Sequence, residues 1–344
     1  MPSEHNLAEA AADLKSALDQ ANTYLSPKLE SIHAHRLISF RENRSSTNLL
    51  GEWIRSGAGG PPPSLDPLQL RSQIYGFGRS ASDAKAYRIV FLNICREFFS
   101  AALLALPLGK LTVPLTFARS IIERFAVACD VITKVQPIIR RPANNPREVF
   151  DNLVDAGEQF TIAMLGTKVD WKTLSAPDMT SVEKKSVKYS RKGHELDLSA
   201  PRIGGRIKTL DSKIPGVGIA YDTLCEFLHP NVGDYWSSIV TVKKSQDSFG
   251  ASHIEIGLGP EPTNLENSPE ADLAIGRAIR TVIDVIALLP ELDKDLKDIS
   301  DRLNWRTQKL IRPLVKTERA FFPNDDPCPC QSGKRIAECC GSAR

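Results

Sequence analysis

The chain has 344 residues, 42% hydrophobic and 25% charged, with a formal net charge of +3 and a pI near 8.4. It is long enough for one large or two modest domains with a sizeable core, and its charge is too mild to argue by itself for nucleic acid. Met1 to Asn22 reads as an Ala/Glu/Lys helical pattern rather than a signal peptide, and Arg96, Lys110 or Arg119 interrupts the longest apolar stretches. No transmembrane helix is predicted, and a cytoplasmic location is expected.

Leu7, Ala11, Leu14 and Leu18 recur at helical spacing, and a second helix is predicted from near Pro27 past Ile38. The two make an N-terminal helical hairpin over 1–55. His33 and His35 fall about 200° apart on a helix, so they do not clamp one metal from one face. The glycine and proline run Ser56 to Ser64 reads as a linker over 56–65. A helical core domain is expected over 66–290. Its first long helix starts at Ser82 or Asp83, carries Tyr87, Val90, Phe91, Ile94, Cys95, Phe98, Ala102 and Leu103 inward, and ends at Leu106-Pro107. A second runs from about 114 to 135, with Ile121, Phe125 and Val127 buried. Pro146 opens a third, with Phe150, Leu153, Phe160 and Ile162 on its inner face.

Residues 168–215 are polar and without a clear period. Between Lys184 and Lys213 nine Lys/Arg stand against three Asp/Glu, which suits either a solvated insertion or a basic loop that touches an anionic partner such as RNA. After a helix at about 217–229, β-branched runs on either side of Ser248-Phe249-Gly250 predict a β-hairpin over 238–257. Ser268-Pro269-Glu270 starts a helix that reaches Leu289, and a charged connecting segment spans 291–322. Its Arg302, Arg306 and Lys309 are expected on a solvent-exposed basic face. The predicted fold class is therefore mainly α: a helical bundle with one small β-hairpin and a C-terminal metal-binding tail over 323–344. Cys95, Cys129 and Cys225 lie in apolar helical surroundings and read as core residues.

The tail carries the most specific chemistry. Cys328-Pro329-Cys330 is followed by eight residues and then Cys339-Cys340-Gly341, so four of seven cysteines fall within thirteen residues. Thiols grouped this tightly and kept reduced bind metal rather than pair. Pro327 and Pro329 restrict the unfolded segment, Ser332-Gly333 supplies a turn, and about one helical turn returns the second pair. Four thiolates close a tetrahedron with no open position, the structural arrangement; Zn2+ suits it, and iron accepts four thiolates as well. The centre carries a net −2, which Lys334 and Arg335 offset. So short a segment has no hydrophobic core, so metal binding supplies its folding free energy, and few contacts with the core are expected across Pro323.

Asn324-Asp325-Asp326-Pro327 leading into Cys328, and Gln331-Ser332-Gly333-Lys334 between the pairs, resemble the SEC-C motif. This is the small zinc-binding tail known from the SecA translocation ATPase and from many bacterial proteins. The resemblance implies zinc held by Cys328, Cys330, Cys339 and Cys340, and a tail that docks on a protein partner, as the SecA tail does on a chaperone and on ribosomes. It covers 324–341. Gln331 stands where the family mostly has Gly, so a positive φ there carries a modest penalty. One extra Asp lengthens the lead-in, and Arg335-Ile336-Ala337-Glu338 is less basic than the family's usual stretch.

In the core, Arg119 and Glu123 sit one turn apart on an apolar helix and must bury their charges together or face a polar cleft. Tyr221, Cys225 and His229 recur every four residues on one helix face. Convergence of Arg119, Glu123, Tyr221 and His229 on one site is expected, since buried ionisable groups are costly alone and gather at functional sites. An intrahelical ion pair and a capping histidine is the plainer account. This pattern loosely resembles bacterial helical families related to HEPN domains, which implies a ribonuclease or toxin, including one acting in phage defence. True HEPN nucleases place an Arg shortly before the His; Leu224 to Phe227 supply none. No phosphate loop, Rossmann glycines, nucleophile elbow or H-E-x-x-H occurs.

Three readings follow. The first is a zinc-binding interaction protein whose helical domain binds a protein or nucleic-acid partner and whose four-cysteine tail is a docking knuckle. The second is the HEPN-like ribonuclease with Arg119, Glu123, Tyr221 and His229 as catalytic set. The third is a structural subunit of an oligomer. The absence of catalytic signatures favours the first.

Overall fold

Ala10, Leu14, Leu18, Ala21, Leu25 and Leu29 form one buried stripe at steps of three and four, and it carries the first helix, Leu7–Ile32 (α1), straight through Pro27. The sequence instead predicts a helix start near Pro27. Proline there removes one backbone hydrogen bond, yet the fully buried Leu25 and Leu29 on either side outweigh that loss.

The structure is a computed structural model that describes residues 7–32, 49–57, 65–108, 112–165, 187–189, 195–197, 202–228, 239–246, 252–258 and 269–342. It is mainly helical. After α1 come Leu49–Ser56 (α2), Pro67–Phe77 (α3), Arg79–Ala105 (α4), Thr112–Arg140 (α5), Pro146–Leu165 (α6), Ile203–Asp211 (α7), Val217–Glu226 (α8), Pro269–Ala287 (α9) and Leu289–Thr317 (α10). Val187–Tyr189 (β1) pairs antiparallel with Glu195–Asp197 (β2). Ile239–Gln246 (β3) pairs antiparallel with Ser252–Leu258 (β4), Lys243 opposite Glu255. Most of the linker at 56–65 and much of the basic segment at 184–213 lie outside the described residues. Among the described residues no helix is long and apolar enough to cross a membrane.

The chain divides into two units. The first joins residues 1–31, 91–130 and 202–291. Phe91 meets Phe125 edge-on with centroids 5.5 Å apart, and α9 packs on α8. The Asp211 carboxylate accepts from the amides of Gly216 and Gly218 at 3.1 and 2.9 Å. This turns the chain into α8 through Gly216 at φ +94°, a conformation that favours glycine. Asp130 pairs with Arg206 at 3.6 Å, both largely buried.

The second unit joins residues 32–90, 131–201 and 292–344. Asp66 caps α3, accepting from the amides of Leu68 and Gln69, with Pro67 at the first helical position. At the start of α6 the Asn145 side chain accepts from the Glu148 amide at 2.9 Å, and the Glu148 carboxylate accepts from the Asn144 amide at 2.8 Å. Phe77 stacks edge-on against Phe150, and Tyr87 lies 5.7 Å from Phe160. The buried Arg88–Asp293 pair at 2.6 Å ties α4 to α10.

The core differs from expectation in detail. Tyr87, Phe91, Ile121 and Phe125 are buried, whereas Ile94, Phe98 and Val127 are only half-buried and Val90, expected to point inward, is exposed. The buried stripe of α4 runs Phe91, Leu92, Cys95, Phe99 and Ala102, which leaves Phe98 on its flank and gives Phe99 the interior place. Arg306 also departs from the exposed basic face. It is 7% exposed and donates from Nη2 to the carbonyls of Ile139 and Arg141, at 2.6 and 2.8 Å. Those carbonyls end α5, where no intrahelical donor remains and a cation is favourable.

Candidate metal centre

Four cysteine sulfurs gather at the C-terminus because three short devices fold 324–341 back on itself. Cys328 donates its amide to Lys334 O at 2.8 Å and Ile336 donates to Asp326 O at 2.9 Å, bringing the two cysteine pairs side by side. A single 3-10 turn, Ile336–Glu338, then delivers Cys339 and Cys340. Ile336 is the apolar pin: it is fully buried, accepts from the Gly341 amide at 2.8 Å, and packs so closely that a Cβ on Gly341 would meet its Cγ2 at 2.6 Å.

All four thiols are buried, and their sulfurs lie within 4.8 Å of one another. Cys330 Sγ is 3.4 Å from both Cys328 Sγ and Cys339 Sγ, and Cys339 Sγ is 4.0 Å from Cys340 Sγ. A tetrahedral ion bonded to sulfur at about 2.3 Å, the length typical of zinc, spaces its ligands about 3.8 Å apart. The set therefore fits one metal ion. Sharing with Cys328 pulls the Cys330 thiol far down, the same sharing with Cys330 pushes Cys328 up to about 12, and contacts with Cys328 and then Cys330 push Cys340 up as well. Without a central cation these sulfurs cannot all be thiolates. Ser332 Oγ donates toward Cys339 Sγ at 3.4 Å, a contact that suits a thiolate ligand. Of the expected counter-charges, Arg335 is paired with Asp325 at 2.9 Å and Lys334 is exposed.

The tail is seated on the helices of its own unit, contrary to the expectation of few contacts. Tyr75 donates its hydroxyl to Pro327 O at 2.7 Å, Arg71 pairs with Asp326, and Asn304 Nδ2 donates to Cys330 O at 3.2 Å. Pro329 O lies so close to Gly78 that a Cβ there would stand 2.0 Å away. Burial and the Asp326 carboxylate push the Tyr75 hydroxyl up to about 12, so it stays a donor at neutral pH. The carbonyls of Pro327 and Cys330 thus find donors on α3 and α10. The sequence signals of this seat are faint. Gly78 between two helical patterns hints at a close approach, and Asp326 is the residue that lengthens the lead-in; Tyr75 and Asn304 carry no mark.

In the first unit, Arg119, Glu123 and Tyr221 do come together. Tyr221 donates its hydroxyl to Glu123 Oε1 at 2.8 Å, Arg119 Nε reaches the same oxygen at 3.2 Å, and Arg119 Nη2 lies 3.4 Å from the Tyr221 hydroxyl. The guanidinium stands 5.5 Å from the tyrosine ring centroid. Burial and the hydrogen bond to Glu123 push Tyr221 up to about 12, so it stays protonated near pH 7. Cys225, one turn on, joins the group, its thiol raised by burial. Arg119 and Glu123 remain about a third exposed. His229, expected to complete the set, lies outside the described residues.

Comparison with protein-family models, with curated proteins and with solved structures finds no match.

Proposed function

We propose that the chain is a zinc-binding interaction protein in which one Zn2+, held by Cys328, Cys330, Cys339 and Cys340, locks the C-terminal segment onto α3 and α10 to make one docking body. The supporting observation is the four buried thiols with a seat beneath them. Four protein ligands leave no position for substrate or water, so the metal folds the segment instead of activating a nucleophile. Zinc is preferred to iron because the reading needs a closed, redox-silent tetrahedral centre. The resemblance to SEC-C tails supports the same ion. Elemental analysis should find one zinc per chain. Stripping it with a chelator should lower the unfolding temperature of the helices, not merely of the tail. Protein without bound metal, or metal loss that leaves thermal unfolding unmoved, defeats the reading.

The meeting of Arg119, Glu123 and Tyr221 supports a second reading, a HEPN-like ribonuclease in which His229 acts beside them. RNA cleavage by the purified chain, abolished by His229→Ala with the unfolding temperature retained, would establish it. Absence of cleavage leaves the trio as a helix-to-helix tie.

A further inference from the structure

Helix α10 changes character halfway along. From Leu289 to Asp301 it carries five carboxylates against two lysines, whereas from Arg302 to Arg319 six Lys/Arg face one Glu. Arg306 is engaged inside, on the end of α5. Between Arg302 and Lys316 the exposed residues are Arg302, Trp305, Lys309, Pro313 and Lys316. Steps of three and four place them in a single arc about 80° wide and about 21 Å long, at 100° and 1.5 Å per residue. No carboxylate lies in that stripe below Asp298, whose pairing with Arg302 at 2.7 Å closes its upper end. Lys309 Nζ lies 5.6 Å from the centroid of the Trp305 ring.

Cations near a helix C-terminus complement the helix dipole, which accounts for Lys316. It does not account for Trp305. This indole sits about three turns from the end of the helix. It is 61% exposed. Its neighbour Asn304 holds the metal tail through Cys330 O, so the backbone that presents the ring is fixed from the other side. An exposed aromatic ring with cations along the same line is what a stacking platform for unpaired bases requires: the ring takes a base, and the ammonium groups take the phosphates on either side. An acidic peptide would answer the lysines but not the indole. A duplex would offer phosphates but no free base face.

We propose that the exposed face of α10, with Trp305 at its centre and Lys309 and Lys316 beside it, binds single-stranded nucleic acid. This names a partner class for the interaction protein proposed above, and it rests on that reading but not on the identity of the metal. The test is fluorescence anisotropy of the full-length, zinc-loaded protein with fluorescein-labelled twelve-residue uridine and thymidine strands, the pair separating RNA from DNA. Binding should fall with salt along a log–log slope of about −1.4, the value for two phosphates on a single strand. Trp305→Ala should weaken it about tenfold, since base–aromatic stacking contributes on that scale. Lys309→Glu with Lys316→Glu should abolish it. Zinc content and thermal unfolding of each variant are measured in parallel, so a lost metal site is distinguished from a lost surface. No binding by the parent protein overturns the proposal. So does equal binding by Trp305→Ala, or a duplex or anionic phospholipid vesicle bound as tightly as the single strand.

Discussion

Gly78→Ala separates a seated tail from a free one, because the two give opposite signs. Gly78 has φ −71° and ψ −12° between two helices, an ordinary helical conformation. Were nothing packed on it, alanine would stabilise the chain by about 0.4–1 kcal/mol through helix propensity and a less free unfolded state. With the tail in place, the new Cβ stands 2.0 Å from Pro329 O and 3.0 Å from Gln331 Cγ. Non-bonded heavy atoms rest about 3.5 Å apart, so the Cys-Pro-Cys turn must retreat by about 1.5 Å. That retreat breaks the Tyr75–Pro327 and Asn304–Cys330 hydrogen bonds, each worth about 1 kcal/mol, and stretches the half-exposed Arg71–Asp326 pair, worth less. After the helical gain is set against these losses, the variant should be less stable by about 2 kcal/mol. Thermal unfolding and the rate of zinc transfer to a colorimetric chelator read the effect: a lower transition and faster release. A variant more stable than its parent, releasing zinc at the parent's rate, would show that the tail does not rest on α3.

Three further outcomes follow from single residues. Gln331 holds φ +62°, where a side chain costs about 1 kcal/mol, so Gln331→Gly should slow zinc release and raise stability by about that amount; a faster release would refute the strain. Arg306→Lys should lower urea stability by about 2 kcal/mol, because one ammonium does not reproduce a fork that reaches two carbonyls at the end of α5. Tyr221 is raised to about 12 from an ordinary 10, so the folded state keeps its proton longer than the unfolded one. Its contribution is complete below pH 10 and is lost as pH rises to about 12; Tyr221→Phe should show a shallower alkaline loss of stability over that window than its parent.

Helical content is legible in the sequence wherever a stripe of apolar residues persists. Pro146 opens α6 and Pro269 opens α9, both at the first helical position where proline is tolerated. The same rule misreads Pro27, and the helix expected over about 114–135 stops short of Pro137, whereas Pro27, Pro137 and Pro313 lie inside α1, α5 and α10. Local proline chemistry argues for a break at each, and tertiary burial of the flanking leucines, isoleucines and valines overrides it. Periodicity also places the inner face only to within one residue, which is why it puts Phe98 where Phe99 lies. Arg306 is hidden for a different reason: its partners are backbone carbonyls on another helix, which leave no trace in residue type.

The candidate metal centre divides along the same line. Its ligands fall within thirteen residues and are marked by their own chemistry, so spacing alone finds them. Its seat is made of Arg71, Tyr75, Gly78 and Asn304, contributed by helices more than two hundred residues apart in the chain, and none of these binds metal. That separation has a thermodynamic consequence. A free knuckle would use its metal-binding free energy to fold itself, leaving the helices indifferent to zinc. A seated one makes α3, α10 and the ion parts of a single equilibrium, so whatever removes the ion also removes the contacts that hold α3 to the end of the chain. The same coupling would run backward: a partner that grips α10 and steadies Asn304 would tighten the hold on the metal proposed for the four cysteines. Chelator competition with and without the single-stranded nucleic acid proposed for α10 should then show slower zinc loss in its presence, since linked binding equilibria are reciprocal.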